Sequence, residues 1–356
     1  MSDNCYEKLR KFLNQFPIGA PKTEERIELK ILQKLFTKEE AELTTLLSVL
    51  PKTAKQIARK SSYNDEEMEE KLETMANKGL IFRIRRGEKT FYNAAPIMIG
   101  LYEYSVKKID KELASLFRKY YDQVLMDEIG ASNVPGFKVL PINESLDMET
   151  ITLPYQDLIK NVKKARKIAV TECICRKEAR LLGEGCDHPI ETCLSFGVAA
   201  EFYIENGLGR EIDAEEAIQI LKEADEAGLV HAGANTKHLS NICNCCSCCC
   251  VSMKGITQHG YNKIKYMNSL FRAIIEPEKC IQCEACLERC PVGAIEIDET
   301  SQVNQEKCLG CGLCAPCCPE NAITLILRTD RQEAFDRVID LGQAIIEGKK
   351  QLLNNQ

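Results

Sequence analysis

The chain has 356 residues, 44% of them hydrophobic, a formal net charge of −6 and 20 cysteines. The length predicts two or three domains, and the hydrophobic content is sufficient for ordinary globular cores. The negative charge disfavours general binding to nucleic acid or to anionic membrane surfaces, because these polyanions repel it.

The N-terminus and the hydropathy pattern indicate the compartment. The first eight residues, MSDNCYEK, contain no apolar core of a secretory signal, and no stretch of sequence reaches the length of a membrane span. We therefore expect a cytoplasmic protein without membrane attachment. Because disulfides are rare in that compartment, cysteines two and three residues apart predict metal binding.

Residues 1–100 show the pattern of three helices followed by a hairpin. Apolar residues at helical spacing predict helices over residues 39–50, 54–60 and 65–78. Thr53 is the expected cap of the second helix, and Asn64 or Asp65 that of the third. Two β-prone runs on either side of residues 85–89 predict the hairpin. This order resembles a winged helix-turn-helix domain.

The charge of the third helix argues against DNA binding. In a winged helix this element would read DNA, yet it carries six acidic residues against two lysines. Phosphates would be repelled from most of that surface. The hairpin is basic, which favours DNA binding. Its basic residues are Arg83, Arg85, Arg86 and Lys89. We expect a protein-docking or dimerisation module, with a homodimer as one form and nucleic acid disfavoured.

The next segments are predicted from helical and strand patterns. Residues 101–165 are expected to form a helical connector, with an amphipathic helix over residues 110–129. Residues 166–265 are expected to form a cysteine-rich α/β metal domain. Within it, residues 167–170 form a strand that leads into Cys173, and Asp213 caps a helix that Gly228 ends. Residues 329–356 are expected to carry a C-terminal helix, beginning at residue 331.

The most specific signal lies in residues 266–328. The spacing C-x2-C-x2-C-x3-C-P occurs twice, 28 residues apart, and it is the spacing of bacterial ferredoxins that hold [4Fe-4S] clusters. Three thiolates of each run can bind three corners of one cubane, and the fourth points to the other cluster. Gly293 and Asn321 match between the copies, and both residue types tolerate a left-handed turn. Cys317 has no place in this scheme and is expected to be a small buried residue.

Residues 272–327 resemble the two-cluster bacterial ferredoxin family. The resemblance implies a ferredoxin-like (βαβ)2 module with two [4Fe-4S] clusters. It implies that one cluster is held by Cys280, Cys283, Cys286 and Cys318, and the other by Cys308, Cys311, Cys314 and Cys290. Two structural zinc sites are the alternative, but zinc favours cysteine pairs separated by a longer loop. Residues 273–327 hold nine acidic and three basic residues, so we expect docking to a basic patch on a redox partner, such as a flavoprotein.

Ten further cysteines lie between residues 173 and 250. We predict them as metal ligands: Cys173, Cys175, Cys186, Cys193, Cys243, Cys245, Cys246, Cys248, Cys249 and Cys250. Four thiolates complete one cubane, so one or two further iron–sulfur clusters are expected, with zinc as a third option. In an extended run Cys246, Cys248 and Cys250 would share one face, and Cys243, Cys245 and Cys249 the other. The vicinal cysteines, however, require a local turn.

Residues 25–325 as a whole resemble a group of iron–sulfur proteins of anaerobes. The match is carried by TECICR at residues 171–176, GLVH at 228–231 and the run at 241–250. It implies an α+β multidomain chain with a winged-helix-like domain, a cysteine-rich region and a ferredoxin module. We expect an electron-transfer protein or oxidoreductase subunit that passes electrons between the ferredoxin module and the cysteine-rich site, which is either a relay or catalytic. A redox-sensing transcriptional regulator is the alternative. No glycine fingerprint for a nucleotide is present.

Overall fold

The computed structural model describes residues 4–142, 157–298 and 301–354. Residues 143–156 of the expected connector lie outside the described residues. The helices are α1 Asn4–Leu13, α2 Ile27–Leu35, α3 Lys38–Thr44, α4 Ala54–Ala58, α5 Asp65–Asn77, α6 Tyr102–Tyr104, α7 Lys111–Tyr120, α8 Met126–Ile129, α9 Leu158–Lys163, α10 Ile174–Leu181, α11 Val198–Glu205, α12 Ala214–Glu226, α13 Val251–Thr257, α14 Ala285–Arg289 and α15 Val338–Asn354.

The strands belong to one seven-stranded sheet and three two-stranded sheets within the described residues. They are β1 Ile81–Arg86, β2 Lys89–Ala94, β3 Phe137–Val139, β4 Ile168–Glu172, β5 Glu191–Phe196, β6 Arg210–Ile212, β7 Val230–Ala234, β8 Asn241–Cys245, β9 Met267–Asn268, β10 Phe271–Ile275, β11 Ile295–Ile297, β12 Ser301–Val303 and β13 Ile323–Leu327. The chain is therefore a mixed α and β protein, as the sequence predicts.

The N-terminal elements follow the predicted order of helices and hairpin. Thr53 and Asn64 each form a capping box, at the starts of α4 and α5, and β1 pairs with β2. The helix predicted over residues 39–50 is wrong in length, because α3 ends at Thr44. Beyond it the carbonyl of Ser48 accepts a hydrogen bond from the amide of Ala94, which holds that segment to the end of β2. The assignment as a winged helix stays a prediction.

The large sheet has the strand order β6-β4-β5-β8-β7-β3-β9. All neighbouring pairs are antiparallel except β3 with β9. Strands β3 and β9 lie outside residues 166–265, so the sheet also uses residues of the expected connector and ferredoxin segments. Helix α12 packs on this sheet, and the Asp213 side chain caps it by accepting from the amide of Glu216, as predicted.

One buried hydrophobic cluster joins the N-terminal helices to the cysteine-rich region. It extends from Cys5 to Leu313 and includes Cys245 and Cys250. At the hairpin, the Phe82 ring lies 4.8 Å from that of Phe202 on α11, measured between centroids. The N-terminal elements therefore form part of the wall around the cysteines.

The C-terminal helix is shorter than predicted. It begins at Val338 and not at residue 331. Phe335 instead forms a bridge to Thr236, with its amide donating to Asn235 and its carbonyl accepting from Lys237. These tertiary hydrogen bonds keep the segment extended. Among the described residues no helix combines the length and apolar character needed to cross a membrane.

Candidate functional site

The segment with the two cysteine runs is built as two copies related by 28 residues. Strand β10 pairs with β13, and β11 pairs with β12, so each copy contributes one strand to each ladder. Three positions with positive φ repeat at the same spacing: Gln282 with Gly310, Glu284 with Gly312, and Gly293 with Asn321. The left-handed turns predicted at Gly293 and Asn321 are thus confirmed. Gln282 and Glu284 adopt the same conformation although neither is a glycine.

The two copies differ in helix content. The first contains the short helix α14, whereas the equivalent residues 313–317 form turns. In α14 the amide of Glu288 donates to the carbonyl of Glu284. The equivalent residue is Pro316, which has no amide hydrogen to donate. The second helix of a regular (βαβ)2 module is therefore replaced by turns.

Two cavities lie between the copies, and each is lined by four cysteines. The first is lined by Cys280, Cys283, Cys286 and Cys318. The second is lined by Cys290, Cys308, Cys311 and Cys314. In both cavities the fourth cysteine comes from the other run. These are the two sets that the ferredoxin resemblance implies.

Backbone amides point at the sulfurs of both cavities. The amides of Ala294 and Ala322 lie 3.2 Å from the sulfurs of Cys290 and Cys318, at matching positions of the two copies. Cys308 also receives amide contacts, including one from Gly310 at 3.4 Å. Amide donors stabilise negative charge on sulfur, so both cavities suit thiolates that bind a metal cluster.

The cysteines of the second cavity are more buried than those of the first. Cys308 and Cys314 are buried, and burial raises the pKa of Cys311 to about 12. In the first cavity Cys283 is exposed. Ile281, which also lines the first cavity, is 61% exposed, and Leu287 on α14 is 41% exposed.

Residues 273–325 match the family model of the 4Fe-4S dicluster domain. The match covers both cavities of the dicluster domain and none of the ten upstream cysteines. No curated protein and no solved structure matches the chain. With four thiols per cavity and amide donors at their sulfurs, the dicluster domain fits iron–sulfur clusters.

Cys317 of the dicluster domain lines neither cavity. It is half-buried and not buried as expected. Its sulfur lies 3.1 Å from the carbonyl oxygen of Cys314, which accepts its hydrogen bond. All 20 cysteines fall within the described residues, and each is free of disulfide bonding.

The upstream cysteines separate into two groups because the run at residues 243–250 turns. Strand β8 ends at Cys245, a turn follows, and Cys250 precedes α13 as its N-cap residue. The local turn required by the vicinal cysteines is confirmed, and the alternation expected for an extended run is wrong. Cys250 does not lie with Cys246, whereas Cys249 does.

The first group, called here the four-thiol group, consists of Cys186, Cys246, Cys248 and Cys249. Its four sulfurs all lie within 4.8 Å of one another. The sulfur of Cys249 is 3.6 Å from that of Cys186 and 3.8 Å from that of Cys248. The loop with Cys186 is held by Arg180, which donates to the carbonyls of Cys186 and His188.

The second group, called here the six-thiol group, is a chain of hydrogen-bonded cysteines. In order along the chain of contacts these are Cys173, Cys175, Cys250, Cys245, Cys243 and Cys193. The strand register explains one contact: Leu194 pairs with Ile242, which places Cys193 opposite Cys243 on the neighbouring strand. Strand β4 delivers Cys173 to the start of α10, beside β5.

Two members of the six-thiol group are acidic. Hydrogen bonds from the thiols of Cys193 and Cys245 hold the pKa of Cys243 well below its ordinary value. Hydrogen bonds from Cys175 and Cys245 lower the pKa of Cys250 to about 5. Because a thiolate is the form of cysteine that binds a metal ion, the sulfurs of Cys243 and Cys250 are suited to be metal ligands.

Arg176 lies between the two groups and is fully buried. Burial opposes its charge, but electrostatic interactions with Cys173, Cys246 and Cys245 outweigh this and raise its pKa. Its guanidinium also donates to the carbonyl of Asn244 at 3.0 Å. Arg176 thus offsets negative charge from both groups at once.

The wall of the six-thiol group includes side chains that the sequence did not point to. Burial raises the pKa of Glu103 to about 7, and the negative charge of Cys243 adds to the effect. Tyr121 is fully buried in the same wall and is electrostatically coupled to Cys175 and Cys250. These residues come from the helices before the cysteine-rich segment, so no local motif could have identified them.

The histidines near the cysteines in sequence take part in hydrogen bonds within the protein. His231 is buried, and its Nδ1 lies 2.5 Å from the side-chain oxygen of Asn244. The carbonyls of His188 and His238 accept hydrogen bonds from Arg180 and Thr236. Within the described residues, the four-thiol group contains no histidine.

Proposed function

We propose that the chain is an iron–sulfur electron-transfer protein or oxidoreductase subunit in which the dicluster domain exchanges single electrons with a further iron–sulfur centre in the six-thiol group. The observation that carries the proposal is the pair of cavities, each lined by four cysteines drawn from both runs. The two cysteine sets would each hold one [4Fe-4S] cluster, which accepts and releases one electron at a time.

Packing supports an order for the electron transfer. Leu309 and Leu313, which line the second cavity, belong to the same hydrophobic cluster as Cys245 and Cys250. The first cavity is packed in a second hydrophobic cluster, which also contains Cys308 and Cys314 of the second cavity. Electrons accepted at the first cavity would pass to the second and then to the six-thiol group.

The surface around the first cavity supports docking of a redox partner. Ile281 and Cys283, which line this cavity, are exposed, as is Leu287 on α14, and acidic residues predominate in the surrounding sequence. A partner with apolar contacts and a basic rim, such as a flavoprotein, would complement this surface. The proposed location of both proteins is the cytoplasm.

The number of upstream thiols supports a chemical role beyond a relay. A cubane uses four thiolates, so the six-thiol group has two more than one cluster requires. Glu103, whose pKa is about 7, lies in the wall of the six-thiol group and would exchange protons there. An oxidoreductase subunit is therefore favoured over a simple carrier.

The hairpin offers little support for the regulator hypothesis. Both guanidinium groups of Arg83 and Arg85 bind the carboxylates of Glu73 and Glu205. These two basic side chains are thus neutralised by the protein itself and are poorly placed to bind phosphate. We propose a protein partner or a second copy of the chain for the N-terminal elements, tested by light scattering and by the absence of DNA retention at low salt, with oxidised and with reduced protein.

The proposal is tested by electron paramagnetic resonance of anaerobic protein during stepwise reduction with dithionite. The wild type should show two magnetically coupled cluster signals and a third from the six-thiol group. Cys283→Ala should remove one cluster of the dicluster domain and leave the other as an uncoupled signal, and Cys250→Ala should change only the third. Loss of every signal in the Cys283 variant would contradict two separate sites.

A further inference from the structure

The spacing of sulfurs in the four-thiol group differs from that in the dicluster domain. Among all described residues, it alone brings three or more thiol, imidazole or carboxylate ligand atoms within 4.8 Å of one another. Neither cysteine set of the dicluster domain meets this distance. The same structure therefore contains two widely spaced cysteine sets, each around a cavity, and one tightly spaced set.

The tight spacing has a direct geometric meaning. Four sulfurs bound to one tetrahedral ion at about 2.3 Å lie about 3.8 Å apart. The observed separations of 3.6 Å and 3.8 Å, from Cys249 to Cys186 and to Cys248, match this edge length. In a cubane the iron–sulfide core separates the four thiolates further. The four-thiol group is thus the right size for a single ion and too small for a cluster.

We propose that Cys186, Cys246, Cys248 and Cys249 bind one zinc ion in a tetrahedral, closed site. The ligand set is four thiolates, a chemistry that zinc shares with iron. Zinc is favoured because the group ties two irregular segments together: the loop after α10 and the turn after β8. Closed tetrahedral sites of this kind are structural and contribute directly to folding.

The surroundings of the four-thiol group suit this ion. Ala179, Ala224 and Leu229 pack against Cys246 and Cys249, so water is largely excluded on that side. Four thiolates around a divalent ion leave excess negative charge, which the buried guanidinium of Arg176 offsets through its hydrogen bond to Cys246. The site goes beyond the proposed electron transfer, because zinc carries no electrons. Arg176 also faces the six-thiol group, so the ion would fix one boundary of that centre.

The test uses full-length protein purified without air. Wild-type protein should contain one zinc per chain, and zinc-edge X-ray absorption should show four sulfur neighbours at about 2.3 Å. Cys186→Ser should lose the zinc and keep its iron. The matched control is Cys317→Ser, because Cys317 lines neither cavity and belongs to neither thiol group; it should keep both metals.

Three results would contradict the zinc proposal. Wild-type protein without zinc, or zinc bound by nitrogen and oxygen, would overturn the proposal, as would a Cys186 variant that loses iron and not zinc. The wild-type measurement decides even if that variant fails to fold. Failure of the electron-transfer proposal is distinguishable, because it would appear as missing iron with the zinc shell intact.

Discussion

Gly310 and Gly293 of the dicluster domain can be compared to separate two reasons why a position requires glycine. One is the left-handed backbone conformation, and the other is a lack of space for a side chain. Both have positive φ, +61 and +58. Alanine at either position should cost about 1–2 kcal/mol for the left-handed conformation. At Gly293 an added Cβ would meet nothing within 4 Å, whereas at Gly310 it would lie 2.5 Å from the carbonyl carbon of Phe271. Gly310→Ala should therefore cost about 1–3 kcal/mol more through overpacking.

The structural repeat provides an internal control for this reasoning. Asn321 occupies the position equivalent to Gly293, and Gln282 that equivalent to Gly310, both with positive φ. Side chains are thus accepted in this conformation where space permits. The assay is anaerobic urea unfolding, followed by cluster absorbance and iron content. Gly310→Ala should unfold at clearly lower urea and lose iron, and Gly293→Ala should remain closer to wild type. Equal shifts in the two variants would refute the packing argument.

Three further predictions concern metal content, the hairpin and pH. Cys283→Ala should lose about four irons per chain, whereas Cys317→Ala loses none, as measured by anaerobic iron analysis. Arg83→Ala should lower the free energy of unfolding by about 2 kcal/mol or more, because it leaves carboxylates without a buried partner. Replacing the exposed Lys89 by alanine should lower it by about 0.5 kcal/mol or less. The midpoints of urea unfolding measure both effects. Burial lowers the pKa of Lys138 to about 8 from 10.5, so the folded state binds fewer protons between these pH values. Wild-type stability relative to Lys138→Met should rise over that interval, and a flat difference would contradict it.

Features encoded over short stretches were predictable from the sequence. The caps at Thr53, Asn64 and Asp213 depend on contacts three residues apart, and all three occur. Helix ends that depend on distant partners were misjudged. The segment after α3 is held by Ala94, and Phe335 is held by Asn235, and neither contact leaves a local signal.

The same distinction applies to the cysteines. The dicluster sets are those that the resemblance to two-cluster ferredoxins implies, because each joins one run to the run 28 residues away. The upstream sets depend on the adjacency of β4, β5 and β8, which no spacing reveals. The sequence does contain a signal for the missing second helix. Aligning the copies places Pro316 opposite Glu288, and proline cannot donate the helical hydrogen bond that Glu288 donates in α14.

The presence of iron–sulfur clusters in the dicluster domain is tested most directly by one measurement. Full-length protein prepared without air should be analysed for iron and for acid-labile sulfide per chain. We predict a brown protein with at least about eight irons and as many sulfides, the content of two [4Fe-4S] clusters. A colourless, folded protein with neither iron nor sulfide would contradict the central claim.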